Sequence, residues 1–151
     1  MGDLAGTPDD DTTVDENAYD LLQRGQALLV DRHHAQAAIV LERADRLEPS
    51  RASILEALGR AYFNSGRHDA ARTTFEQLIE IDPSADYAHY ALGQSLKRLG
   101  QRRDAGTHLR IAVALDPTSE LYRGALDRLG PDASPPRPSQ TNAARPDDEP
   151  D

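Results

Sequence analysis

The sequence predicts an all-α solenoid of stacked helix pairs, and three features carry that expectation. Acid–proline–hydroxyl triplets recur at Glu48-Pro49-Ser50, Asp82-Pro83-Ser84 and Asp116-Pro117-Thr118, with the prolines 34 residues apart. The same interval separates Gly25, Gly59 and Gly93, and Ala37, Ala71 and Ala105. It also relates Leu41, Phe75 and Leu109, and again Ala44, Leu78 and Ala112. Between these columns the apolar residues follow helical spacing rather than strand alternation. Several columns agreeing at one period over three copies mark an internal repeat, whose units bury their apolar faces mainly against their neighbours.

The copies span about residues 17–50, 51–84 and 85–118, and each reads as two helices. In the second copy Ile54, Leu55, Leu58, Tyr62 and Phe63 form the face of the first helix. Asn64-Ser65-Gly66 supplies turn chemistry, and Ala70, Ala71, Phe75, Leu78 and Ile79 give the face of the second helix. Pro83 ends that helix, because its ring clashes inside a helix and disfavours helical backbone at the residue before it. Ser84 is expected to cap the next helix by accepting a bond from one of its unpaired amides. Glycine in the first helix and alanine in the second let two backbones approach, while Leu or Phe fills the space beside them. A seventh helix over 119–129 is expected to pack through Leu121, Tyr122, Ala125, Leu126 and Leu129. Glu120, Arg123, Asp127 and Arg128 would then face away. Asp127 stands where a further repeat would need its glycine, so stacking should end here in a capping helix over 119–130.

These residues resemble the tetratricopeptide repeat, a 34-residue helix–turn–helix unit, over about residues 17–118. Leu58, Gly59, Tyr62, Ala71, Phe75 and Pro83 match its signature. Leu21, Leu55 and His89 replace its large first-helix aromatic, Leu28 and Leu96 replace its tyrosine in the outer copies, and Arg24 replaces the leucine before glycine. The resemblance implies a right-handed superhelix whose first helices line a concave, peptide-binding groove. In that register the groove takes Tyr19, Leu22, Gln26 and Leu29 from the first copy, and Ser53, Glu56, Arg60, Phe63 and Asn64 from the second. The third copy adds Tyr87, Tyr90, Gln94, Lys97 and Arg98. The expected binding residues are Tyr19, Gln26, Arg60, Phe63, Asn64, Tyr87, Tyr90, Gln94, Lys97 and Arg98. Some family members hold the carboxylate end of chaperone tails with lysines, asparagines and an arginine. Those places hold Leu22, Gln26, Ala57, Tyr87 and Ala91 here, so no such capture is expected.

Charge and composition narrow the function further. The 151 residues carry a formal charge of −9. Residues 1–16 hold six acids and no base, residues 131–151 carry −3, and the body between them is neutral. Both ends are expected to be disordered acidic tails, poor in large apolar side chains. The first serves solubility or, as an alternative, weakly occupies the groove. Such a chain is a poor candidate for nucleic acid or an anionic membrane surface. With no cysteine there is no disulfide, thiol nucleophile or thiolate metal site. The lack of a long apolar run or leader pattern points to a cytoplasmic protein, and 16 arginines against Lys97 alone suggest a GC-rich bacterial source.

Catalysis is not expected. His33, His34 and His68 read as exposed turn residues without metal-ligand spacing, His89 as packed structure and His108 as surface. No phosphate loop or placeable Ser–His–acid set occurs. The expected function is a protein-interaction module, an adaptor, scaffold or assembly factor without cofactor. It would bind a protein or peptide bearing acidic groups, as a monomer or weak homo-oligomer. The alternatives are a self-associating structural protein, or a metal or enzymatic protein built on the turn histidines.

Overall fold

The computed structural model describes residues 16–131, and the expectations for the terminal tails otherwise lie outside that range. Seven α-helices follow one another: α1 (Ala18–Val30), α2 (His34–Leu47), α3 (Ala52–Asn64), α4 (His68–Ile81), α5 (Asp86–Arg98), α6 (Arg102–Leu115) and α7 (Glu120–Leu129). No strand occurs among the described residues. Helices pack mainly on their neighbours in sequence, within each pair and from pair to pair. The first helices also touch across the repeats, α1 with α3, α3 with α5 and α5 with α7, while α2, α4 and α6 make no comparable contact among themselves. The stack therefore curves, with the first helices on its inner side.

Each pair is closed by one joint. A Cβ added at Gly25 would lie 2.5 Å from Leu41, at Gly59 2.6 Å from the Phe75 ring, and at Gly93 2.8 Å from Leu109. Two of the sequence columns are thus the two halves of a single contact. Leu41, Phe75 and Leu109 are completely buried, as are Ala37, Ala71 and Ala105 one turn earlier. A third column emerges at residues 32, 66 and 100, where each first helix ends in a left-handed residue: Arg32, Gly66 and Gly100. The amide of the next residue reaches back to a helix carbonyl, as in His33 to Leu28 at 2.8 Å and Arg67 to Tyr62 at 2.8 Å. This is the Schellman closure, for which glycine is favoured because it has no Cβ to clash. The first copy spends an arginine there, which hid the column in the sequence.

The proline turns differ from expectation. Ser84 does not cap α5. Its amide and hydroxyl both donate to Asp82 Oδ1, at 3.0 and 2.7 Å, and Ala85 occupies the cap position without a side-chain bond. Thr118 repeats this on Asp116 at 3.2 and 2.7 Å. A short aspartate side chain competes successfully for the local donors and folds the turn instead. Glu48 in the first copy is one methylene longer. It pairs with Arg51, and Ser50 takes a left-handed backbone. Side-chain caps occur at Asn17, which accepts from the Asp20 amide at 2.8 Å, and at Ser119, which accepts from the Tyr122 amide at 3.2 Å.

The two ends are finished differently. Glu16, counted above with the N-terminal tail, pairs with Arg24 and Arg43 and ties the chain to α1 and α2. Arg24, the substituted family leucine, is exposed, with no helix among the described residues covering it. At the other end α7 buries Tyr122, Ala125 and Leu129, whereas Leu121 is 52% exposed and not part of the buried face as expected. Only α5 and α6 flank α7, and Leu121 lies about 100° around the helix from Tyr122, beyond their reach. Tyr122 donates to Asp86 at 3.0 Å, and Arg102 donates to the Leu129 carbonyl.

Tyr62 joins the first two repeats, donating to Glu42 on α2 at 2.8 Å beneath the Arg67 guanidinium. Burial, and then the bond to the Glu42 carboxylate, push its phenol up to about 12. A raised phenol pKa means that the folded protein holds the proton more tightly than the unfolded chain. The associated stability is complete below about pH 10 and is lost as pH rises towards about 12. Urea unfolding across that range should show the decline, and Tyr62→Phe should reduce it, leaving the part due to Tyr87 and Tyr122, whose phenols burial also raises. At the joint, Gly59→Ala adds a methyl against a rigid buried ring. Overpacking of this kind costs about 1–3 kcal/mol, more than the roughly 1 kcal/mol that alanine gains in helix propensity. Gly124→Ala meets only the flexible end of Arg128 at 3.0 Å and should be neutral or stabilising. Thermal denaturation of the two variants measures the contrast.

Candidate functional site

The inner face holds two cavities, one on either side of α3. The first, of about 330 Å³, lies between α1 and α3 and is lined by Gln26, Leu29, Val30, Ser53, Glu56, Ala57 and Arg60. The second, of about 170 Å³, lies between α3 and α5 with Phe75 of α4 behind it. Arg60, Phe63, Asn64, Tyr87, Tyr90, Ala91 and Gln94 complete its walls. Arg60 is the one side chain common to both.

A run of rings gives the second cavity its shape. Phe75 meets Tyr87 edge to face at 6.3 Å, Tyr87 meets Tyr90 at 5.9 Å, and Tyr90 meets Tyr122 of α7 at 5.2 Å. Gln94 donates to the Tyr90 hydroxyl at 3.2 Å. Burial raises the Tyr87 phenol above its ordinary value, with the Arg60 charge opposing. The ring therefore stays neutral through the physiological range. Cations lie across these faces: the Arg60 guanidinium carbon is 5.9 Å from the Tyr87 centroid and that of Arg98 is 6.0 Å from Phe63. Such contacts hold a guanidinium by the negative face of the ring and leave its N–H groups available. Arg24, Arg43, Arg51, Arg67 and Arg72 pair with carboxylates elsewhere. Among the described residues Arg60, Lys97 and Arg98 have no such partner.

The expected groove residues separate into two groups. Gln26, Arg60, Phe63, Asn64, Tyr87, Tyr90 and Gln94 line one cavity or the other. Tyr19 is 63% exposed on α1 and borders neither, and Lys97 and Arg98 lie at the C-terminal end of α5 beyond the second. Sequence reasoning did not place Val30 or Phe75 in the walls, and it met Ala57 and Ala91 only as replacements of the family's carboxylate-holding residues. Ala57 and Ala91 are one repeat apart, and two small side chains at the same inner position are the signal that space opens there.

The histidines depart from the expectation of exposed turns. His34 and His68 open α2 and α4 and are half-buried, with each Nδ1 shielded and lacking a hydrogen-bond partner among the described residues. The His68 ring packs edge-on against Phe63 at 5.0 Å. His89 is 5% exposed, packed as expected. Its Nε2 donates to the Pro83 carbonyl at 2.9 Å, and its Nδ1 lies 3.2 Å from His108 Nδ1. His108 is therefore not a surface residue: a stacked partner 5.4 Å away draws it inward. With Nε2 of His89 carrying a proton, its Nδ1 accepts and His108 Nδ1 donates across the 3.2 Å contact. No group of three or more His, Cys, Asp or Glu among the described residues could hold a metal ion. No described helix is long and apolar enough to cross a membrane.

The comparisons with known proteins agree on the architecture. A family model described as TPR repeat matches residues 59–100, and one described as tetratricopeptide repeat matches residues 87–119. No curated protein matches the sequence. Among solved structures, the first TPR of Spaghetti (RPAP3), bound to the HSP90 peptide SRMEEVD, is similar with a TM-score of 0.71 and 15% identity. That match covers 75% of this chain and 90% of the other. The Sgt2 TPR domain from Aspergillus fumigatus is similar with a TM-score of 0.69 and 20% identity, over 84% of this chain and 90% of that one. YrrB, described as a TPR protein with an unusual peptide-binding site, has a TM-score of 0.71 and 25% identity, over 74% of this chain and 58% of its own. At these identities the likeness is one of fold.

Burial, and then the neighbouring His89, hold the His108 pKa below its ordinary 6.5, with Asp104 opposing. A depressed imidazole pKa means that the unfolded chain binds the proton first as pH falls. Stability should therefore decline below about pH 6.5, down to the folded value. Nuclear magnetic resonance titration should find His108 protonating below the range of an exposed histidine, and His108→Gln should weaken the acid-side decline in stability.

Proposed function

The chain is a tetratricopeptide-repeat protein, and from that premise we propose that it is a non-catalytic adaptor or assembly factor. It holds an extended peptide or partner surface bearing acidic groups along its concave face, in the cytoplasm and as a monomer or weak homo-oligomer. Repeats of this kind serve generally as protein-interaction modules. The observation that carries the finer reading is the trio Arg60, Lys97 and Arg98. Arg60 lines the aromatic cavity, Arg98 lies over Phe63 at its edge and Lys97 precedes Arg98 at the end of α5, and none of the three has a carboxylate partner among the described residues. A charged donor with free N–H groups next to buried rings suits a ligand that brings both carboxylate and apolar surface.

The mechanism is preorganisation. The rings of Phe75, Tyr87, Tyr90 and Tyr122 brace one another, so the surface exists before the ligand arrives and the ordering cost falls mainly on the ligand. The Spaghetti domain binds an HSP90 peptide. In this chain Leu22, Gln26, Ala57, Tyr87 and Ala91 stand where the resemblance implies carboxylate-clamping residues, so its ligand is held by other chemistry.

Affinity co-purification from the native host tests the assignment. Proteins recovered with the wild type should be lost with an Arg60→Glu, Tyr90→Ala double variant. Partners retained equally by both would move the binding surface away from the groove.

A further inference from the structure

The division of the inner face by α3 carries a specificity that charge alone does not. We infer that the groove selects a peptide with two apolar side chains about three residues apart and a single carboxylate between them. This rests on the groove assignment above and deepens it. One apolar side chain enters the first cavity against Leu29, Val30 and Ala57, which face its polar wall of Gln26, Ser53, Glu56 and Arg60, and the other enters the cavity walled by Phe63, Tyr87 and Tyr90. Their spacing follows from the helix that separates them. Packed helices stand about 8–10 Å apart, and a peptide in the polyproline II conformation advances about 3.1 Å per residue with three residues per turn, so crossing α3 takes about three residues and brings side chains three apart back to the same face.

The intervening carboxylate is selected by Arg60, which lines both cavities and so lies under the crossing segment. Its guanidinium is kept over Tyr87 rather than on an internal acid, so a ligand carboxylate displaces no existing ion pair among the described residues. Glu56 lies one helical turn before Arg60 in the wall of the first cavity. A second acid on that side of the peptide meets repulsion. The selected pattern is therefore apolar, spacer, acid, apolar, rather than an acidic run.

The probe is a blocked peptide of sequence SGLGDLGS, titrated by calorimetry into the full chain. Variant peptides replace Asp by Asn, replace either Leu by Gly, or place the leucines adjacent. The expected result is about tenfold weaker binding for the Asn peptide and for each altered-leucine peptide. Arg60→Gln should weaken the Asp peptide by a similar factor while leaving the Asn peptide unchanged, the signature of a direct pair in a double-mutant cycle. Arg60 is exposed, so its variant should remain folded, which circular dichroism checks. Equal binding of the Asp and Asn peptides, indifference to leucine spacing, or no binding of the probe would each overturn the inference. Amide shift mapping separates that failure from failure of the groove itself. Shifts on α3 and α5 with no Asp preference would reject the motif and retain the groove. Shifts confined to the outer helices would reject both.

Discussion

The fold depends on one steric constraint, repeated three times: the absence of a Cβ where Leu41, Phe75 or Leu109 presses on the first helix of its repeat. That contact fixes how closely the two helices of a pair approach. Closeness there sets where the next first helix can lie. The inner face is thus a product of the joints behind it, and the ring of Phe75 shows the connection directly. It fills the hollow at Gly59 and also forms the back wall of the second cavity. A packing residue in one direction is a cavity wall in the other.

Much of this was legible in the sequence because periodicity reports packing. Gly, Ala and Leu or Phe recur where helices touch, and those columns coincide with completely buried positions. The register implied by the family resemblance placed Gln26, Arg60, Phe63, Asn64, Tyr87, Tyr90 and Gln94, which line the two inner cavities, but also Tyr19, Lys97 and Arg98, which do not. What escaped had local causes. Ser84 was expected to serve the helix after it, yet a neighbouring aspartate captured its hydroxyl, a competition that residue preferences do not rank. The turn column was concealed because Arg32 accepts a left-handed backbone that glycine adopts in the other copies. Leu121 was assigned inward by its apolar character, although no element reaches that side of α7.

The histidines show where composition misleads. From the sequence His89 reads as packed and His108 as surface, but the two meet across α5 and α6. Burial and the neighbouring His89 disfavour the charged form of His108. Arg60 and Arg98 retain solvent access while aromatic faces hold them in place, so they offer charge in a defined position.

Each joint is also local in the chain. Gly25 meets Leu41, Gly59 meets Phe75 and Gly93 meets Leu109, every partner lying 16 positions downstream. No pair borrows its closing contact from another pair. Contacts so near in sequence close short loops, which favours rapid folding one hairpin at a time. Evolution can therefore lengthen or shorten such an array by whole units, changing the reach of the groove while every remaining joint stays intact.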